Sequence, residues 1–232
     1  MKKRKLFGFL TFLLFTSYFM SAQDCTFYYP DAEGAKVEIT HYDNKDKITG
    51  KSEQEVITIE KAGNNVKAII KNKYFDKKDE FIFENEMEVS CKDGVFYIEM
   101  NNYLNEQALA GFKDMEMEIK GDNLQFPPDM KVGDMLDEGM VTISFNSPAM
   151  SMMNMSTAIK NRKVEAIENI TTPAGTFKCF KISYDIETET FMKKITSKAL
   201  QWFSENVGMV RTESYDQNGK PEGYSVLTGI QK

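Results

Sequence analysis

The 232 residues are 41% apolar and 28% charged, a globular balance that excludes a mostly disordered, collagen-like or polytopic membrane chain. One large or two small domains fit that length. The formal net charge is −6, and removing the basic start described next leaves about −10, from 25 Lys and Arg against 35 Asp and Glu; an anionic chain of this kind excludes nucleic acid as a partner.

Lys2, Lys3, Arg4 and Lys5 precede an apolar run from Leu6 to Phe19, and Ser21 and Ala22 supply small residues for cleavage. Basic, apolar, small is the order of a secretory signal. The run is also shorter than the ~20 residues a bilayer span needs. Residues 1–22 therefore read as a signal peptide and 23–232 as a single β-rich domain bound for the periplasm or the cell exterior. Gln23 and Asp24 separate the cut from Cys25, which argues against lipid attachment there.

Down the chain, Ser52 to Lys61 and Val66 to Phe75 flank Gly63-Asn64-Asn65 as a hairpin. Phe81, Phe83, Met87, Val89 and Cys91 alternate with mostly acidic neighbours, the period of a half-buried strand. Asp93-Gly94 then forms a tight turn. That turn sets Cys91 opposite Phe96, Val89 opposite Ile98 and Met87 opposite Met100, so alternation and turn chemistry select one register. Asn102 to Phe112 reads as a short helix, and Pro127-Pro128 marks a bend or sub-domain boundary near 125–134.

Val141, Ile143 and Phe145 resume the alternation. Phe180, Ile182, Tyr184 and Ile186 line one face of a long strand, with Cys179 and Phe177 on the other. Ser197 to Ser204 reads as a second short helix, and Asn218-Gly219 closes a hairpin between Val210 to Asp216 and Pro221 to Gly229. The sum is a mainly β fold of about ten to twelve strands, a curved antiparallel sheet like a half-barrel, with one or two short helices.

Tyr42-Asp43, Lys47 and Gly50 recur at a constant offset as Tyr215-Asp216, Lys220 and Gly223. A duplicated half-domain would produce this. So would hairpin-turn chemistry used twice.

Three cysteines, Cys25, Cys91 and Cys179, leave one thiol over if two pair. Cys25 with Cys91 is the favoured bridge, because it ties down a chain end. Their spacing matches no metal-ligand pattern and His41 is the single histidine, so no metal site is expected. Serine or cysteine hydrolysis needs a base beside the nucleophile, and no residue is marked as a partner of His41. Nucleophile elbow, phosphate loop, dinucleotide glycines and zinc-protease helix are all missing from the sequence. Glu116 and Glu118, two apart on a strand, read as a solvated face. No enzyme activity and no cofactor are expected.

Nine of the 15 methionines lie between Met115 and Met155. Met fills core gaps, adapts to apolar ligands of variable shape, and ligates Cu(I) through its thioether. Met150, Met152, Met153 and Met155, in a stretch too loop-like to bury, are the candidate ligand-binding residues.

Thr172-Pro173-Ala174-Gly175-Thr176-Phe177 with Cys179-Phe180-Lys181-Ile182, Phe126-Pro127 with Val132-Gly133-Asp134, and Trp202-Phe203 through Val207-Gly208-Met209-Val210-Arg211 resemble a bacterial periplasmic family of unknown function. The resemblance covers mainly residues 120 to 232. Its members are similar in outline to lipoprotein carriers of the LolA and LolB type, which implies a curved sheet around an apolar cavity and implies no catalytic residues. The expectation is an exported, non-catalytic binding protein holding a lipid or other apolar ligand, such as an acyl chain, on its concave sheet. The alternative is an envelope structural or interaction module that pairs with another protein through its sheet edge.

Overall fold

The computed structural model describes residues 25–100, 116–146, 154–190 and 193–231. These hold thirteen strands: β1 (Lys36–Asp43), β2 (Ile48–Ala62), β3 (Asn65–Asp76), β4 (Phe81–Lys92), β5 (Val95–Glu99), β6 (Glu116–Gly121), β7 (Asn123–Phe126), β8 (Gly139–Asn146), β9 (Asn154–Thr172), β10 (Gly175–Glu189), β11 (Lys194–Ser204), β12 (Gly208–Asp216) and β13 (Pro221–Gln231). They form one antiparallel sheet in the order β6-β8-β9-β10-β11-β12-β13-β1-β2-β3-β4-β5-β7.

The two outermost strands, β6 and β7, are consecutive in the chain, and Asp122 is the residue between them. Its carbonyl accepts from the Met100 amide at 3.0 Å, after β5, while its own amide donates to the Met140 carbonyl at 2.9 Å, on β8. One residue thus ties the two sides together, and the sheet is nearly closed as a barrel.

The hairpins follow from turn chemistry. Across Asp93-Gly94, Lys92 faces Val95, Cys91 faces Phe96 and Val89 faces Ile98, with both turn residues at positive φ, 52° and 82°. The expected pairing of Met87 with Met100 lies beyond β5, which ends at Glu99. The β2–β3 turn is shorter than read from sequence, because Ala62 already faces Asn65.

The turn that follows Tyr42-Asp43 and Tyr215-Asp216 is used a third time after Phe75-Asp76. Asp43 Oδ1 accepts the amides of Lys45 (2.8 Å) and Lys47 (3.0 Å). Asp76 does the same for Lys78 and Glu80, at 2.7 and 2.9 Å, and Asp216 for Asn218 and Lys220, at 2.8 and 2.9 Å. Each turn passes through a left-handed residue, Asp46, Asp79 or Gly219, at φ of 59°, 69° and 81°. The antiparallel order puts all three turns at one end of the barrel. Hairpin chemistry accounts for the recurrence.

Ser197 to Ser204 is not a helix but the second half of β11. Lys-Ala-Leu-Gln-Trp-Phe mimics a helical mixture because apolar side chains leave this strand on both faces. Ala199 and Phe203 enter the main core, whereas Leu200 and Trp202 join a second cluster, and a strand covered on both faces loses its alternation. The helix expected over Asn102 to Phe112 lies outside the described residues.

The main core fills the barrel. Phe27, Tyr28 and Tyr29, ahead of β1, are inserted among strand residues including Phe96, Phe126, Ile182 and Phe203. Tyr28 is 1% exposed, and its ring packs on those of Phe96, Phe126, Phe180 and Phe203 at centroid distances of 5.6 to 6.4 Å. The Asn206 amide donates to Phe27 O at 2.8 Å. Cys25 is disulfide-bonded to Cys91 on β4, with Cα atoms 6.1 Å apart. Rings of this size bury the large apolar areas a barrel interior needs.

A strand-poor strap, residues 127–138, crosses from β7 to β8. Met130 and Leu136 enter the core, and the Leu136 amide donates to Arg162 O at 2.9 Å. Arg162, 1% exposed, stacks on Phe126 at 4.8 Å and donates through Nη1 to Gln125 O (3.1 Å) and Asp137 O (2.7 Å). A second cluster forms where the end of the β9–β10 hairpin meets β12 and β13, around Cys179, Trp202, Val210 and Leu227.

Candidate functional site

Register partners in a sheet share a face. Gln54 on β2 faces Asn72 on β3, and Asn72 faces Asn85 on β4, so three amides lie in a row across three strands. One step along, Val56, Ile70 and Met87 form the same kind of row inside the core. The apolar face of these strands therefore changes abruptly to amide. Gln201 of β11 joins them, and together with Tyr29, Tyr74, Met87 and Phe203 these side chains border a cavity of about 150 Å³.

Asn72 is 2% exposed. Its Oδ1 has no hydrogen-bond partner among the described residues, a condition that costs about 1–3 kcal/mol in a buried amide. The Gln201 amide oxygen accepts from Tyr184 OH at 3.0 Å. Tyr74 stacks on Phe83 at 4.3 Å, which fixes an aromatic wall beside Asn72. Among the described residues no charged side chain borders the cavity.

His41 lies nearby in the same sheet, on β1. Its Nδ1 is 2.8 Å from Ser225 Oγ and its Nε2 3.2 Å from Ser52 Oγ. Burial pushes the imidazole below its usual pKa. Cys179 is the free thiol, buried, and burial followed by the nearby Glu168 raises it to about 11, so it is protonated at neutral pH.

A larger cleft of about 450 Å³ borders Ser183 and Asp185, which alternate with the core residues Ile182 and Tyr184. Its polar walls are engaged with one another. Glu165 accepts from Ser183 at 2.8 Å and pairs with Lys163 at 3.0 Å, and Asp185 accepts from Asn161 at 2.7 Å.

Of the residues singled out in the sequence, Met150, Met152 and Met153 lie outside the described residues. Met155 is half-buried near the start of β9, facing Ile143. The described members of the methionine-rich stretch do not share one environment: Met130 is in the core, while Met135 and Met140 are 63% and 48% exposed. Glu118 pairs with Lys120 on the surface. Among the described residues no group of three or more His, Cys, Asp or Glu is arranged to hold a metal. The sequence reading passed over Gln54, Asn72, Asn85 and Gln201, although an amide in the apolar phase of three paired strands was a signal it carried.

A nearly closed antiparallel barrel is the fold class that these strands define, and known proteins share it. The chain belongs to the DUF3108-like family, whose model matches residues 32–227, well beyond the C-terminal part that carried the resemblance. Two solved structures share the fold. One, from Bacteroides fragilis, is named as an exported protein with YmcC-like fold and is 23% identical, with a TM-score of 0.73 over 90% of this chain and 100% of its own. The other, from Parabacteroides distasonis, is named as a lipoprotein and is 28% identical, with a TM-score of 0.75 over the same shares. No curated protein matches the sequence.

Proposed function

We propose that this is an exported, non-catalytic binding protein whose cavity beside the barrel core holds an apolar ligand, such as part of an acyl chain. The observation that carries the reading is the 150 Å³ cavity beside the barrel core, walled on one side by Met87, Ile98, Phe203 and Met209. Met walls adapt to ligands of variable shape. Placement in the periplasm or outside the cell is supported by the names of the two structural neighbours, an exported protein and a lipoprotein. The non-catalytic reading is supported by His41, whose ring nitrogens are both taken up by serine hydroxyls and whose basicity burial lowers. Against pairing through a sheet edge stands the continuity of β6 and β7 through Asp122, which bonds to Met100 just after β5 and to Met140 on β8.

Native mass spectrometry of the mature protein purified from its own envelope tests the proposal. The expected result is an adduct released on denaturation and identified as a lipid. A bare mass that stays bare after incubation with lipid extract overturns it.

A further inference from the structure

We infer that the amide-lined side of this cavity recognises an uncharged, hydroxyl-bearing group about the size of a single six-membered ring. This rests on the binding role proposed above and names the polar part of the ligand. The first argument is geometric. Gln54, Asn72 and Asn85 are consecutive register partners across β2, β3 and β4, and Gln201 reaches the same cavity from β11. Four amides converging on one space supply donors and acceptors together, which is the complement of a polyol.

The second argument is the orphan acceptor. Asn72 is 2% exposed and borders the cavity, with Oδ1 unpartnered among the described residues. A buried acceptor is rarely left in that state. It requires an O–H or N–H from whatever enters.

The third argument excludes ions. Among the described residues no Lys, Arg, Asp, Glu or His borders the cavity, so a charged group there would lose its water and gain no counter-charge from them. Size completes the case. A cavity of about 150 Å³ equals the engineered apolar cavity that accepts benzene, and Tyr74, held by its stacking on Phe83, and Phe203 supply aromatic surface in its lining for the C–H side of a small ring. The same chemistry is found in a free sugar and in the headgroup of a neutral glycerolipid.

The test uses the mature, disulfide-intact protein labelled with ¹⁵N, titrated with glucose, glycerol, a monoacylglycerol and oleate. The Asn72 and Gln201 side-chain amide signals are followed by NMR. A shift with glucose or glycerol identifies a free polyol as ligand, and a shift with the monoacylglycerol alone identifies the lipid headgroup; either result supports the inference. Asn72→Leu, which removes the orphan oxygen, is expected to weaken that binding at least tenfold while keeping the melting temperature at or above that of the wild type. Gln201→Leu serves as an independent variant should Asn72→Leu fail to fold. If oleate binds as well as the monoacylglycerol and neither variant alters either affinity, the headgroup inference fails while the binding protein stands. If no probe binds, both fail.

Discussion

A Cβ placed on Gly50 would stand 2.5 Å from the carbonyl oxygen of Phe75. Gly50 is on β2, and Phe75 precedes the Asp76 turn on the neighbouring β3. Gly223 on β13 stands in the same relation to Tyr42 O on β1, immediately before the Asp43 turn. Each glycine therefore admits the aromatic carbonyl of the next hairpin. At the equivalent offset after Asp76 the chain has Phe83, which stacks on Tyr74 at 4.3 Å and has no such turn beside it.

Gly50→Ala and Gly223→Ala should each destabilise the barrel by about 2 kcal/mol through overpacking. In thermal melts that corresponds to a fall of about 4–8 °C for a chain of this size. Gly34→Ala provides the contrast: its Cβ would meet nothing within 4 Å, and its φ of +78° makes the cost one of backbone strain. Unchanged melts for both Gly50→Ala and Gly223→Ala would remove the steric account of the recurrence.

The Cys25–Cys91 bond spans 66 residues and holds the aromatic insert at its N-terminal side. In the chain-entropy treatment a loop of that length contributes about 4 kcal/mol. The double variant Cys25→Ser, Cys91→Ser should lose about that much in urea unfolding. Hydrogen exchange at Phe27, Tyr28 and Tyr29 should rise more than exchange in β9 and β10. Equal protection of residues 27–29 in both proteins would mean that packing alone keeps the insert in place.

His41 gives the barrel a pH dependence of defined sign. Burial lowers its folded-state pKa below the ordinary 6.5, so the folded protein binds the proton less readily than the unfolded chain. Above about 6.5 both states are neutral and stability is unaffected. As the pH falls from 6.5 toward the depressed folded value, the unfolded state gains protons first and stability declines. The turn carboxyls act lower: backbone amides hold Asp43, Asp76 and Asp216 below 3.8, so their contribution is lost only as the pH falls through their own folded values. His41→Gln, whose amide can still meet Ser225 and Ser52, should flatten the pH 5–7 slope and leave the more acidic one. Equal slopes in the two proteins between pH 5 and 7 would show that His41 does not set this dependence.

The elements legible in the sequence were those in which turn chemistry and side-chain period act together. Asp93-Gly94 with its flanking alternation fixed the β4–β5 register, and Asn218-Gly219 located the β12–β13 hairpin. Reading failed where a strand is covered on both faces, as at Ala199 to Phe203, because period is a record of one-sided burial. The candidate site was harder. Asn72 becomes informative only when register sets it between Gln54 and Asn85 and the barrel brings Gln201 to the same space. Barrel closure through Asp122 depends on two backbone bonds, and a side-chain pattern does not encode these.

The bond between Cys25 and Cys91 also separates two histories of the same chain. Thiols stay reduced in the cytosol and pair in oxidising compartments. A copy retained inside the cell would carry every residue of the aromatic insert and still lack its latch. A copy that has crossed the membrane acquires the latch through the chemistry of its new surroundings. The latched interior is then tied to an oxidising compartment, because the bond that closes it forms only there.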